Sequence, residues 1–330
     1  MKPANQLLVM EAKAQKVAVI LLVPFVLAWN LFAQTDSEDN KPIFRTETDL
    51  VSFDVTVTDP KGRPVTDLAK EDFIVYEDGK QQKVAFFSHD QRPASWGLVL
   101  DRSGSMAPMI EELYKAALHS VESGTTEDDV FVMTFNDHTE LVQPFTSNRK
   151  ELLRSISRLW AGAGTALYDA GASALDYMKG AMHKKKVLVI VTDGEDNASS
   201  ISFKKFLNMA QRSEMIIYTV GLFDPMNTVS LRTNSFGPSG FFGLGVSNPR
   251  KQLERLAEET GGMAYFPKDM EQCIRAHRDI ALQVSRQYSL GYYPRNTDAD
   301  EGWRQIKVEV LGREKVVVRS PKSYRVSKTD

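Results

Sequence analysis

The stretch SWGLVLDRSGSM, residues 95–106, joins two kinds of sequence. Gly97 to Leu100 is a short, continuously apolar run, the pattern of a strand buried on both faces. Asp101 to Met106 then sets an acid, two hydroxyls and a glycine side by side, ahead of a helical pattern over 107–122. Three more apolar runs follow, at 130–135, 186–191 and 215–220, with a shorter one at 262–266. Helical periodicity separates them at 150–160, 166–182, 203–212, 251–260 and 270–286. Buried strands alternating with helices imply crossover units and a parallel sheet. Residues 93–286 are therefore predicted to form a doubly wound, mostly parallel α/β domain.

The flanks read differently. Val51, Phe53, Val55 and Val57 alternate with polar residues, the period of a half-buried strand. Asp59 to Gly62 is a turn, and Phe73–Tyr76 and Lys83–Phe87 flank Asp78-Gly79 as a hairpin. Strand patterns return at 288–293, 305–310 and 316–319. The two β segments, 43–92 and 287–326, are each too small to bury a good core alone. Together they approach the size of an immunoglobulin-type sandwich. The expectation is one β-sandwich built from both ends, with the α/β domain inserted; the alternative is two small β extensions packed separately on that domain.

At the N-terminus, Lys2, Lys13 and Lys16 precede the apolar run Val17–Trp29, the form of a secretory signal. Residues 1–33 are expected to be a signal peptide cut after Ala33 or, uncut, a membrane anchor whose apolar run of about 17 residues sits at the lower limit for a span. Residues 34–42 read as a polar linker. Either way the rest is expected outside the cytoplasm: periplasmic, secreted or membrane-anchored. A net charge of −2 gives no sign of nucleic-acid binding. The eight basic and three acidic residues from Trp303 onward fit solvated strand faces. Cys273, the single cysteine, allows no intrachain disulfide and fits a buried apolar position.

Asp101 falls at the C-terminal end of its strand, where open α/β sheets bind ligands. Two further oxygen-rich stretches occupy comparable places. Gly162-Ala-Gly-Thr165 precedes a helix that Thr165 is expected to open, and Thr192-Asp193-Gly-Glu-Asp196 follows a buried strand. If these strands are neighbours, Asp101, Ser103, Ser105, Thr165 and Asp193 converge on one crevice. An all-oxygen set without histidine or thiolate suits Mg²⁺, or Mn²⁺ in its place. Neutral hydroxyl ligands would leave the ion seeking an anionic group, such as an Asp or Glu carboxylate on a protein partner. Taken singly, Ser103, Ser105 and Thr165 could instead be helix caps. Glu195, Asp196 and Asn197 read as a solvated loop, and Asp169 as an acid favouring its own helix N-terminus.

DRSGS followed by GAGT and TDG resembles the metal-ion-dependent adhesion site of the von Willebrand factor type A domain, and the order of elements fits over roughly 190 residues. The resemblance implies that Ser103, Ser105 and Thr165 face the metal, while Asp101 and Asp193 act largely through bound waters. LVSFDVTVTDPKGRPV, EDFIVYEDGK and YSLGYYP also resemble a group of secreted bacterial proteins with type A domains that is common in Acidobacteria. The implied function is an extracytoplasmic binding or adhesion module rather than an enzyme.

Rival classes have less behind them. A phosphatase with Asp101 as nucleophile would want an acid where Ser103 stands, and no Gly-x-Ser-x-Gly run exists. The five histidines are scattered, without metal spacing. A scaffold of the chelatase or motor-associated type A class is the remaining alternative. Residues 223–250 hold Phe236, Phe241 and Phe242 among glycines and prolines. That loop is expected on the metal rim, as a partner contact or a floppy insert.

Overall fold

Six strands make the central sheet of the computed structural model, which describes residues 50–104, 106, 110–121, 124–156, 162, 164–223, 248–294, 302–313 and 315–326. The expected signal or anchor, the linker, residues 43–49, Ser105, Phe236, Phe241 and Phe242 lie outside these. No helix among the described residues is long and apolar enough to cross a membrane. Glu47–Asp330 form one compact unit.

Four strands precede the central sheet: β1 (Val51–Thr58), β2 (Phe73–Glu77), β3 (Lys80–Gln82) and β4 (Val84–Ser88). The α/β part then runs β5 (Ala94–Asp101), α1 (Ile110–Leu118), β6 (Asp129–Phe135), β7 (Thr139–Thr146), α2 (Arg149–Ile156), α3 (Leu167–Tyr177) and β8 (Lys185–Thr192). It continues with α4 (Phe203–Gln211), β9 (Ile216–Gly221), α5 (Pro249–Glu259), β10 (Ala264–Tyr265) and α6 (Met270–Ser285). Last come β11 (Tyr288–Tyr292), β12 (Gly302–Val310), β13 (Val317–Arg319) and β14 (Ser323–Val326).

The central sheet has the order β10-β9-β8-β5-β6-β7, parallel throughout except for β7. β5 is buried along its whole length, which explains its unbroken apolar run. Tyr114, Leu152, Cys273 and Ile280 cover one face, from α1, α2 and α6. Leu167, Leu175, Phe206 and Leu253 cover the other, from α3, α4 and α5. Strand order reverses at β5, whose neighbours are β6 and β8, so a crevice opens at the C-terminal ends of β5 and β8.

The flanking strands make two antiparallel sheets, β13-β1-β11-β4 and β14-β12-β2-β3. Each sheet mixes strands from both ends of the chain, and Val55, Val75, Leu290 and Ile306 meet in one shared core. Glu77 is buried between the sheets, where its Oε2 accepts hydrogen bonds from Tyr292 Oη at 2.7 Å and Tyr324 Oη at 2.8 Å. The sandwich meets the α/β part through polar contacts. Lys322 pairs with Glu258, and Thr260 bridges to Pro321.

Several expectations need correction. The Asp78-Gly79 turn pairs β2 with β3, not with Lys83–Phe87; β4 passes to the other sheet and pairs with β11. The helices expected over 107–122 and 150–160 are described as Ile110–Leu118 and Arg149–Ile156. β7 was not expected. Its polar alternation and Pro144 hide it, and it survives as an antiparallel edge, where a missing ladder donor is tolerated.

Candidate functional site

Asp101 ends β5 with no exposed surface. Its Oδ1 accepts from the Ser103 backbone N–H at 2.8 Å, and the Ser103 hydroxyl bonds to the same carboxylate. Its Oδ2 accepts from Thr192 Oγ1 at 2.7 Å. Thr192 in turn accepts from Gly194 N at 3.0 Å, so one hydroxyl links the end of β5 to the turn after β8. Burial, and then the charge of Asp193, push the Asp101 carboxyl up to about 6. Burial and the neighbouring acid thus outweigh the hydrogen bonds that Asp101 accepts.

Ser103 forms an isolated parallel bridge with Gly162, and Gly162 N donates to Arg102 O at 2.8 Å. DRSGSM thus lies against the GAGT loop. That loop leans on the β6–β7 turn: Ala166 N donates to Asn136 O at 2.6 Å. Both glycines of the loop are closely approached, and Gly164 requires its residue type. A Cβ at Gly162 would fall 2.1 Å from Asn136 Nδ2, and one at Gly164, where φ is +78°, would fall 2.9 Å from Asp137 Cβ.

Thr165 is buried, and its backbone is held from the third stretch. Its N–H donates to Asn197 Oδ1 at 2.9 Å, and its carbonyl accepts from Asn197 N and Ala198 N. The three stretches are therefore tied together pairwise. Asp101, Ser103, Thr165 and Asp193 come to one place at the C-terminal edge of the sheet, and Ser105 lies outside the described residues.

The capping expectations need correction. Thr165 does not open the helix; α3 begins at Leu167, its cap residue is Ala166, and that end has no side-chain cap of its own. The 196–199 loop supplies acceptors instead. Ser199 Oγ accepts from Tyr168 N at 3.0 Å and Asp169 N at 3.2 Å, and Asp196 Oδ1 from Tyr168 N at 3.4 Å. Burial pushes the Asp196 carboxyl above its usual range. Asp169 does lie in the first turn of α3, as expected, and its carboxylate also accepts from Ser200 N at 2.7 Å and Ile201 N at 3.2 Å. Asp196 and Asn197 are thus anchored, while Glu195 is exposed. Thr192 and Asn197 are the residues that sequence reasoning missed.

The donor set is oxygen only. Among the described residues no three His, Cys, Asp or Glu side chains cluster so as to hold a metal by themselves. Two carboxylates beside serine and threonine hydroxyls, with the main acid buried and its charge uncompensated, fit a small hard divalent cation such as Mg²⁺.

Residues 97–195 match the family model of the von Willebrand factor type A domain. The matched segment takes in DRSGSM, GAGT and Thr192–Glu195 of the third stretch. An uncharacterized protein of Borreliella burgdorferi is 26% identical over 184 residues, which cover 52% of this chain and 53% of that protein. An uncharacterized protein of Synechocystis is 26% identical over 176 residues, covering 52% of this chain and 42% of its own. The alignments thus span about half the length of these curated relatives. Among solved structures, a von Willebrand factor type A protein from Catenulispora acidiphila superposes with a TM-score of 0.46 at 10% identity, covering 86% of this chain and 74% of that one. The conserved hypothetical protein BatB from Bacteroides thetaiotaomicron gives 0.45 at 15% identity, covering 58% and 98%.

Proposed function

We propose that the chain is an extracytoplasmic, non-enzymatic binding module whose type A segment captures an acidic group of a protein partner through Mg²⁺ or Mn²⁺. The observation that carries this is Asp101, fully buried at the strand-order reversal and raised by that burial and then by the charge of Asp193. A buried carboxylate raised by a neighbouring acid is costly unless a cation pays for it. Ser103, Thr165 and, by sequence, Ser105 would supply neutral oxygens beside it. Bound there, the ion would act as a Lewis acid toward an incoming carboxylate. The residues of the chain hold the cradle rigid: Thr192 orients Asp101, and Asn197 fixes Thr165. The basic stretch ahead of the apolar run at 17–29 supports placement outside the cytoplasm.

Titration calorimetry of Mg²⁺ into the wild type and Asp101→Ala tests the metal half. Uptake by the wild type and loss in the variant is expected, with the far-ultraviolet circular dichroism of the two unchanged. Equal affinity in both would reduce DRSGSM to a strand end.

A further inference from the structure

The rim around the cradle carries its own charge pattern. Asp137 belongs to the turn that supports Gly162 and Gly164, next to Thr165. Its side chain is 48% exposed and meets His138 Nδ1 at 2.9 Å, a contact that holds its carboxyl below the usual range. Glu140, 57% exposed, stands just beyond on β7. On the opposite side Glu195 is exposed, and its backbone N–H donates to Asp193 Oδ1 at 3.2 Å. Among the described residues the basic groups beside these three acids are His138, already bonded to Asp137, and Arg102, only 12% exposed and paired with Glu140 at 3.0 Å.

The balance inside the cradle sharpens the point. Asp101 and Asp193 together carry two negative charges, which one divalent cation cancels. A carboxylate arriving from outside is then an excess negative charge in a site that burial has partly dried. The rim adds repulsion where it could have offset it. An isolated acid, or an acid in an acidic stretch, would bring no charge of its own to offset Asp137 and Glu195.

We propose that the partner's acid is flanked by lysine or arginine, whose charges settle on Asp137 and Glu195, so that the type A segment selects an acid in a basic setting. This rests on the metal-capture reading above. Complementary rim charge sets partner choice and encounter rate more than raw affinity, and Arg102, spent on Glu140, does not compete for the partner's acid.

The test uses the full chain and two short fluorescent peptides, one with an aspartate between lysines and one with an aspartate between glutamates. Fluorescence polarisation is read in Mg²⁺ and in chelator, and Mg²⁺ uptake is read separately by calorimetry. In Mg²⁺ the lysine-flanked peptide is expected to bind about fivefold more tightly or better, as two exposed charge pairs allow. The margin should shrink as salt screens the rim. Asp137→Lys combined with Glu195→Lys should reverse the order while still taking up Mg²⁺. Mg²⁺ uptake accompanied by equal affinity for the two peptides, or by no binding of either, overturns the rim proposal and leaves the metal reading standing. A lysine preference that persists in chelator places the contact off the cradle and overturns it as well. Failure of the wild type to take up Mg²⁺ removes both.

Discussion

Thr192 shows how much of the cradle rests on one hydroxyl, which donates to Asp101 and accepts from Gly194. Thr192→Val keeps the shape and strands a buried carboxylate oxygen, so a loss of about 1–3 kcal/mol in urea unfolding is expected. Asp101→Asn should act the other way in metal-free protein. It removes one of two acids that repel each other, and unfolding at neutral pH should become harder by up to about 2 kcal/mol, given the raised carboxyl. Added Mg²⁺ should reverse the ranking of wild type and variant in a thermal melt. At this scale the sequence was informative wherever a polar residue interrupted an apolar pattern: Asp101, Ser103, Thr165 and Asp193 all follow strands or precede a helix. Thr192 was hidden because it reads as the last residue of a strand. Asn197 was hidden because its amide grips a backbone 32 positions away, which no local pattern records.

Among the elements, α3 depends on a neighbouring loop for its N-terminal acceptors. Ser199→Ala removes the acceptor shared by Tyr168 and Asp169. A loss of about 1 kcal/mol is expected, the usual worth of a cap, measurable by denaturant unfolding. The packing of α6 against the 119–121 turn makes a different prediction. His277 is fully buried there, with Nδ1 2.6 Å from Ser120 Oγ and Nε2 without a hydrogen-bond partner among the described residues. Burial, then the nearby His119, hold it down at about 3. A histidine depressed in the folded state favours folding while neutral, and that stability is lost as pH falls from about 6.5 toward 3, at about 1.4 kcal/mol per unit. Between pH 7.5 and 5 the wild type should therefore lose on the order of 2 kcal/mol more than His277→Asn in urea unfolding. Strands with continuous apolar runs were legible because both their faces are covered. β7 and the β2–β3 pairing were not, because an edge strand needs little apolar residue and a turn fixes only its nearest partner.

For the whole molecule, the small size of each flanking segment was the readable sign that the two ends share a core, since neither could bury one alone. How their strands interleave was not readable, because pairing between β1 and β11 or β12 and β2 depends on contacts more than 200 positions apart. Ser88 and Ser289 face each other where the chain leaves β4 and re-enters on β11. Replacing residues 90–287 by a two-residue Asn-Gly turn, which keeps Ser88 opposite Ser289 and sets His89 beside Tyr288, should thus leave a β4–β11 hairpin. A soluble sandwich with a single cooperative melt is the expected product; an unfolded product in circular dichroism would show that the sandwich needs its insert.

That side-by-side exit has a mechanical consequence. A pull between a tether upstream of Leu50 and a partner held at the rim enters the sandwich at Ser88 and Tyr288 together. β4 and β11 are then drawn in the same direction and do not work against each other. The opposing strand is β1, antiparallel to β11 with Val51 opposite Tyr292 and Val55 opposite Tyr288. Force along that pair is shear, and its rungs from Val51 to Val55 resist at once rather than opening one after another.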